Sequence, residues 1–184
     1  MQVRVGADIR ALRKARGITL AELSAAVGRS VGWLSQVERG LAEPSLRDLG
    51  AVAGRLGIGI GLFLRSASKR PEEQGLVLRA EDRMPIPPRG PGLVEELLSP
   101  SLSGAFEIIR STFAPGSDSG GRKSARGRED GGLVLSGRLR LTVDEVELDL
   151  GPGDSFHFAD CDYSWRNDTD LPTVVLWIVA PPVY

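Results

Sequence analysis

The stretch GITLAELSAAVGRSVGWLSQVERGLAEPSL, residues 17–46, predicts two short helices that are separated by a glycine. Thr19 and Glu22 have the spacing of a capping box, in which two side chains satisfy free amides at the start of a helix. Gly28 can adopt the positive φ of a tight turn, and Ser30 can cap the helix that follows. Apolar residues recur at helical spacing in both segments: Leu20, Leu23 and Val27 in the first, and Val31, Leu34 and Val37 in the second.

A third helix is predicted directly after this pair. Ser45 and Asp48 repeat the spacing of a capping box, and Gly57 is placed to end the helix. Between them, apolar residues again recur at helical spacing: Leu46, Leu49, Ala53 and Leu56. The three predicted helices are sufficient to enclose a small apolar core.

Residues 5–64 resemble the helix-turn-helix domain of the xenobiotic-response-element (XRE) family of repressors, which includes the phage repressors. The likeness rests on IRALRKARGITLAEL at 9–23, LSQVERG at 34–40 and EPSL at 43–46. It implies a five-helix, lambda-repressor-like head that binds double-stranded DNA. It also implies a structural pair between Arg13 of the first helix and Glu38 of the ERG sequence.

The same resemblance implies which side chains face DNA. Three residues fall at positions that reach base edges, Val31, Gly32 and Gln36, and four fall near the sugar-phosphate backbone, Thr19, Ser30, Trp33 and Arg39. Gln36 can form two hydrogen bonds with adenine, and Val31 can contact the methyl group of thymine. Because Val31 and Gly32 offer no side-chain hydrogen bond, we expect readout to depend also on DNA shape.

The charge of the chain is divided unevenly. Residues 1–64 contain 9 Lys and Arg against 5 Asp and Glu, a net charge of +4, whereas residues 65–184 contain 14 against 19, a net charge of −5. A basic head on an acidic body favours contact with phosphates through the head alone. The alternative for the head is an ordinary helical bundle with a solvated basic face, and this asymmetry argues against it.

The length and composition are typical of a soluble protein with two small domains. The sequence has 184 residues and contains no apolar run of about 20 residues and no apolar N-terminal leader, so we expect no membrane partner and a cytoplasmic location. Its single cysteine, Cys161, excludes an internal disulfide. The polar segment RSASKRPEEQ at 65–74 indicates a linker, which predicts a head at 1–65, a linker at 66–75 and a second domain at 76–184.

From residue 106 onward the pattern changes to short strands. FEIIRSTF, GLVLSGRLRLTV, EVELDL, DSFHF and TVVLWIVA are separated by Gly, Pro and Asp, which predicts an antiparallel sandwich or barrel. Before them, the proline-rich residues 84–92 predict an extended arm. The strand region resembles the cupin barrel, with GRKSARGREDGGLVLSG at 121–137 as its first motif and GPGDSFHFADCDYSWRN at 151–167 as its second.

Together the two resemblances imply an α+β chain with an all-alpha DNA-binding head followed by an all-beta double-stranded β-helix, or jelly-roll. They imply a bacterial transcriptional regulator that acts as a homodimer on a palindromic operator. In such a chain the barrel is a sensor for a small effector.

The metal positions of the cupin motifs are altered in this chain. Cupins that bind a transition ion supply three histidines and a glutamate, and the corresponding positions hold Ser124, Arg126, Asp130 and Tyr163. The whole sequence has one histidine, His157, so a site with three histidines cannot be built. We therefore expect no metal and no cofactor, and we expect His157 to be an ordinary, partly exposed residue.

The altered positions predict an effector site instead. Period-two alternation places two sets of side chains each on one side of its segment: Ser124, Arg126, Arg128 and Asp130 in the first motif, and Tyr163, Trp165 and Asn167 in the second. If these sides face inward, Arg126 anchors the effector and Tyr163 and Trp165 form walls, with Arg110 as a second anchor. The planar guanidinium suits a carboxylate or phosphate, which favours a small anion or an amino acid. Polyamines are the main alternative, with Asp130 and Glu107 as partners.

Two other functions remain open from the sequence. In the first, the chain is a constitutive DNA-binding regulator whose barrel serves only for dimerisation. In the second, the barrel is a metal-free cupin enzyme, such as an isomerase, that uses Asp130, Tyr163 and Arg126 as acid and base groups. No nucleophile elbow, phosphate loop or dinucleotide fingerprint accompanies them, so we expect a regulator and not an enzyme.

Overall fold

The structure, a computed structural model, describes residues 2–64, 71–73, 75–87 and 90–182. Two compact units are formed: residues up to Met84 with Ser99–Ala105 and Pro182 belong to the first, and Pro85–Leu98 with Phe106–Pro181 to the second. Most of the expected linker, at 65–70 and 74, lies outside the described residues, and Pro71–Glu73 forms a 3-10 turn.

The first unit contains the predicted helices. Its α-helices are α1 (Gln2–Ala15), α2 (Leu20–Ala26), α3 (Val31–Glu38), α4 (Leu46–Leu56) and α5 (Gly61–Leu64), and a second 3-10 turn follows at Ala80–Asp82. The core side chains come from all five helices and include Ile9, Leu12, Leu23, Leu34, Val52, Leu56 and Phe63. Val31 is the exception to the predicted apolar face of α3, because it is 46% exposed.

The helix starts have the local chemistry that the sequence predicts. Capping boxes form between Thr19 and Glu22 at α2 and between Ser45 and Asp48 at α4. Ser30 Oγ accepts a hydrogen bond from the amide of Trp33 at 3.1 Å. Each such cap contributes on the order of 1 kcal/mol to helix stability. Since all these partners lie three residues apart, short-range sequence alone was enough to predict them.

The second unit is a jelly-roll of two antiparallel sheets. Its strands are β1 (Leu93–Leu97), β2 (Glu107–Phe113), β3 (Lys123–Ser124), β4 (Glu129–Ser136), β5 (Leu139–Val143), β6 (Val146–Leu150), β7 (Ser155–Ala159), β8 (Asp162–Arg166) and β9 (Thr173–Ala180). One sheet has the order β1-β2-β9-β4-β7 and the other has the order β3-β8-β5-β6. This arrangement confirms the all-beta prediction for the second domain.

The predicted segment GLVLSGRLRLTV is not one strand but parts of two. Gly137 lies between β4 and β5 with φ of +78°, and a Cβ at this position would lie 2.7 Å from the Cα of Thr173. Thr173 Oγ1 accepts a hydrogen bond from the Arg138 amide at 3.0 Å and donates one to the Arg138 carbonyl at 2.6 Å. A glycine turn that is held by a distant threonine therefore separates the two strands.

The register of the five-stranded sheet defines its inner face. Glu107 pairs with Val179, and Val179 also pairs with Asp130, so these three side chains lie side by side on one face. All three are buried. Two residues along, Trp177 occupies the same face of β9. The interior of the jelly-roll thus contains carboxylates as well as apolar side chains.

Candidate DNA-binding surface and barrel interior

Helix α3 has one buried side and one exposed side. Leu34, Val37 and Glu38 are buried, whereas Gly32, Gln36 and Arg39 are exposed at the i, i+4 and i+7 positions of one face. The exposed face also includes Val31 and the partly exposed ring of Trp33 at its N-terminal end. All five residues that the resemblance assigned to DNA on α3 and its C-cap therefore reach the surface of the first unit.

The two caps assigned to the DNA backbone are exposed as well, but their oxygens already have partners. Thr19 Oγ1 donates to Glu22 Oε2 at 2.7 Å and accepts from the Glu22 amide at 3.2 Å. Ser30 Oγ accepts from Trp33. Both caps lie at helix N-termini, where backbone amides and the helix dipole favour an anion.

A buried ion pair joins α1 to α3. Arg13 Nε and Nη2 donate to the two carboxylate oxygens of Glu38 at 2.6 and 2.9 Å, and Arg13 Nη1 donates to the carbonyl of Ile18 at 2.9 Å. The two side chains are 9% and 4% exposed. The two helices also approach closely at Gly6, where a Cβ would collide with the carbonyl oxygen of Val37. The pair implied by the family resemblance is confirmed.

A second ion pair was not predicted from the sequence. Arg29 Nε and Nη2 donate to Asp48 Oδ1 and Oδ2 at 2.9 and 3.2 Å, and the guanidinium carbon lies 5.2 Å from the centre of the Trp33 ring. Asp48 was identified from the sequence only as a helix cap, because its partner Arg29 lies 19 residues away and no local spacing points to the pair. The hydrogen bonds from Arg29 are the main cause that lowers the pKa of Asp48 to about 2.

The barrel interior contains a second group of charged and aromatic side chains. Arg128 Nε donates to Asp130 Oδ2 at 2.9 Å, and Arg128 Nη2 donates to the hydroxyl of Tyr163 at 3.3 Å. The side chains of Arg128 and Asp130 are 15% and 0% exposed. The structure therefore brings together two of the predicted effector residues, Asp130 and Tyr163, through Arg128, which the sequence analysis placed on the same side of its segment but did not choose as an anchor.

Aromatic rings lie beside this polar group. Tyr163 packs against Phe158 and Trp177 with ring centroids at 5.1 and 5.8 Å, and Phe156 contacts Trp177 at 4.8 Å. Tyr163 and Phe156 are partly exposed, whereas Phe158 and Trp177 are buried. The group thus combines one cation, one carboxylate and several aromatic faces on the inner side of the barrel.

The expectation that Arg126 and Ser124 face inward is wrong. Both are exposed, and Arg126, 65% exposed, has its closest carboxylate in Asp162 at 3.9 Å. The alternation is broken at Gly127, which has φ of +74° and donates its amide to Asp160 Oδ1 at 2.7 Å. As a result, Ala125 is buried in place of its two neighbours.

The remaining predicted effector residues lie apart from this group. Arg110 is on the outer face of β2 and pairs with Glu96 at 2.8 Å, because the buried face of β2 is formed by Glu107, Ile109, Ser111 and Phe113. Trp165 is buried in the core with its ring 4.6 Å from that of Phe113. Asn167, also inside, donates to the carbonyls of Phe113, Ala114 and Leu171 and so holds the backbone together.

The sequence and structure also have known counterparts. The helix-turn-helix family matches residues 9–63, and the cupin domain family matches residues 109–179. The transcriptional regulator ClgR of Mycobacterium tuberculosis is 37% identical over 76 residues, which make up 41% of this chain and 68% of that protein. The chain belongs to the XRE family of helix-turn-helix regulators. It is a DNA-binding transcriptional regulator with a cupin domain.

Two further likenesses extend this result. The immunity repressor protein of Bacillus phage phi105 is 39% identical to this XRE-family regulator over 70 residues, which cover 38% of this chain and 49% of the phage protein. The crystal structure of Fe(II)-HppE with an alternative substrate covers 97% of both chains with a TM-score of 0.50 and 16% identity. The second likeness shows a shared fold.

The cupin metal positions of this regulator do not form a cluster of ligands. Ser124 and Arg126 are exposed, while Asp130 and Tyr163 face Arg128 inside. Across the described residues, no three His, Cys, Asp or Glu side chains come close enough to hold a metal ion. His157 is exposed, as predicted, with its Nε2 3.7 Å from Glu129 Oε2. None of the described helices is long and apolar enough to cross a membrane.

Proposed function

We propose that this regulator is a cytoplasmic homodimer that binds a palindromic operator, and that its barrel binds a small effector which changes operator affinity. The observation that carries the sensor role is the ion pair of Arg128 and Asp130 inside the barrel. Removing two charges from water costs several kcal/mol per ion, and a barrel core that served only for stability could be filled with apolar side chains. The buried pair, with Tyr163 beside it, supports a site for a polar ligand.

The chemistry of this group favours an amino acid. The Arg128 fork can bind a carboxylate in a bidentate way, and Asp130 can accept from an ammonium group. A zwitterionic ligand can therefore replace the contacts between Arg128 and Asp130 without leaving either charge unpaired. The rings of Phe158 and Trp177 supply apolar contact for the ligand side chain.

A polyamine is the second ligand class. Glu107 and Asp130 lie on either side of Val179 on the same inner face, and both are buried. Two carboxylates on the two strands that flank β9 suit a ligand with two cationic ends. An aromatic ring such as that of Tyr163 also attracts a cation. Arg128 repels such a ligand, which is why we rank the amino acid first.

The outer face of the barrel supports dimerisation. Leu133, Leu176 and Ile178 line a surface cavity of about 460 Å³ on the five-stranded sheet. Ile178 and Leu135 are large apolar side chains left exposed on neighbouring strands. Apolar surface of this kind commonly marks a protein–protein interface. In a dimer, two copies of α3 would read half-sites about one helical turn apart.

The enzyme alternative receives less support than the regulator. It requires Arg126 beside Asp130 and Tyr163, but Arg126 lies at the surface of the barrel. Two relatives of this chain, which match 41% and 38% of it, are a transcriptional regulator and a repressor. Arg128 is the arginine that contacts Asp130 and Tyr163, so an enzyme would have to use it instead of Arg126. Chemical turnover of a ligand found in the barrel would decide in favour of the enzyme.

The effector hypothesis is tested by thermal-shift screening of the full-length protein against amino acids, polyamines and small carboxylates. A ligand that binds only the folded state raises the melting temperature by mass action. We expect an amino-acid hit that is lost in Arg128→Met and retained in Arg126→Met, which removes the same charge from an exposed position. A polyamine hit that is lost in Asp130→Asn would favour the second ligand class.

Operator binding with and without the confirmed ligand then tests the sensor role. The ligand must bind one state of the dimer better than another, so it must change operator affinity. If a ligand binds tightly but does not change operator affinity, the protein is a constitutive regulator whose barrel serves only for dimerisation. A ligand that binds equally well to Arg128→Met would show that the site lies elsewhere.

The DNA face is tested with a duplex that the wild-type protein selects from random sequence. We expect Gln36→Ala to cost roughly 1 to 3 kcal/mol at one base position and to relax specificity there. Arg39→Ala should weaken binding to selected and scrambled duplexes alike and reduce the salt dependence. If Gln36→Ala loses the same affinity for both duplexes, Gln36 contacts the sugar-phosphate backbone of DNA and not a base edge. Binding by a monomer would contradict the homodimer.

A further inference from the structure

The N-terminal ends of α3 and α4 are joined by a chain of side-chain contacts. Arg29, just before the Ser30 cap, makes a two-point hydrogen-bonded ion pair with Asp48. The same carboxylate accepts hydrogen bonds from the amide and hydroxyl of Ser45 at 3.1 and 2.7 Å. The Asp48 side chain is 8% exposed and is held in place by these hydrogen bonds. It therefore anchors a guanidinium that is itself half exposed.

The Arg29 guanidinium also contacts the ring of Trp33. Its central carbon is 5.2 Å from the centre of the Trp33 ring, within the range of a cation–π contact. Trp33 is in the first turn of α3, and its amide donates to Ser30. In helix-turn-helix complexes the N-terminal residues of the recognition helix are among those that contact the DNA.

The charge of Arg29 is already matched. Asp48 is ionised at neutral pH, as an ordinary aspartate is, and the hydrogen bonds from Arg29 lower its pKa further, to about 2. The pair is therefore close to neutral and offers less attraction for a phosphate than a solvated arginine such as Arg39. Its two-point geometry, by contrast, restricts the plane of the guanidinium, which a lysine ammonium cannot reproduce.

We propose that Arg29 is a positioning residue for DNA binding. Its guanidinium is anchored by Asp48 and holds the Trp33 indole in place at the start of the recognition helix. Arg29 acts through Trp33 and makes no phosphate contact of its own. The inference rests on the proposed placement of Trp33 beside the sugar-phosphate backbone. Loss of Arg29 should therefore lower DNA affinity by the same factor at every salt concentration and leave the salt dependence of binding unchanged.

The test measures affinity for a duplex selected from random sequence by the wild-type full-length protein, at several salt concentrations. Arg29→Met and Arg29→Lys should each lose about tenfold in affinity, because neither side chain can form the two-point pair with Asp48 while its flat face lies over the Trp33 ring. The slope of log K against log salt should stay that of the wild type. Arg39→Met is the comparison, since loss of a phosphate contact reduces the slope by about 1. Full affinity in Arg29→Lys, or a reduced slope in Arg29→Met, would overturn the proposal.

A spectroscopic readout separates positioning from loss of folding. With 5-fluorotryptophan labelling, the three tryptophans give separate fluorine signals, and Arg29→Lys should shift that of Trp33 while leaving those of Trp165 and Trp177 unchanged. In a Trp33→Ala background, Arg29→Met should cause no further loss of affinity. An unshifted Trp33 signal, or additive losses in the double variant, would refute the role. If Trp33→Ala binds the duplex normally, the placement of Trp33 fails, while DNA binding by the regulator stands.

Discussion

Replacing Arg13 by methionine should destabilise the DNA-binding head severely. The change leaves the Glu38 carboxylate, 4% exposed, without both guanidinium donors, and it also removes the donor to the Ile18 carbonyl. Breaking a buried pair from one side costs about 3 to 5 kcal/mol, because an uncompensated charge remains inside. Domains of this kind are stable by about 5 to 15 kcal/mol, so a large part of the stability of the head is at risk.

The assay is urea unfolding of the full-length protein followed by circular dichroism at 222 nm, where the helices of the first unit dominate. Arg10→Met is the matched control, since Arg10 is an exposed arginine on the same helix, and it should change stability by less than about 0.5 kcal/mol. The double variant Arg13→Met/Glu38→Leu removes both charges and should return to within about 2 kcal/mol of the wild type.

Two results would refute this reasoning. A loss below about 1 kcal/mol in Arg13→Met would mean that the pair behaves like a solvated surface pair. A double variant that is less stable than Arg13→Met would mean that packing around Glu38, and not its charge, accounts for the loss.

Two further predictions follow from pKa shifts. Because hydrogen bonds from Arg29 lower the pKa of Asp48 to about 2, its ionised form stabilises the head at neutral pH. The difference in unfolding free energy between wild type and Asp48→Asn should be complete above about pH 5 and should be mostly lost by about pH 2, which urea titrations at pH 2 to 6 would check. Burial, as the main cause, raises the pKa of the Cys161 thiol, so a disulfide reagent should modify the native protein far more slowly than the urea-unfolded protein. Equal rates would show that the thiol is accessible.

The head was predictable because its signals are local. The caps at Thr19 and Ser45 depend on partners three residues away, and the helices show their apolar spacing within a single turn or two. The pair of Arg13 and Glu38 is 25 residues apart, and it was predicted only because the motifs around it resemble a known family. The pair of Arg29 and Asp48, 19 residues apart, has no such motif and appeared only in the structure.

The sequence by itself determined the class of each domain of this regulator, its short helix pair, its β pattern and the lack of histidines for a cupin metal site. Only the tertiary structure decided which arginine enters the barrel. Alternation from Ser124 to Asp130 assumes an unbroken strand, but the positive φ of Gly127 and its hydrogen bond to Asp160, 33 residues away, turn Arg126 outward and Arg128 inward. A contact between residues so far apart in the chain forms only when the fold brings them together, so no local pattern could reveal it.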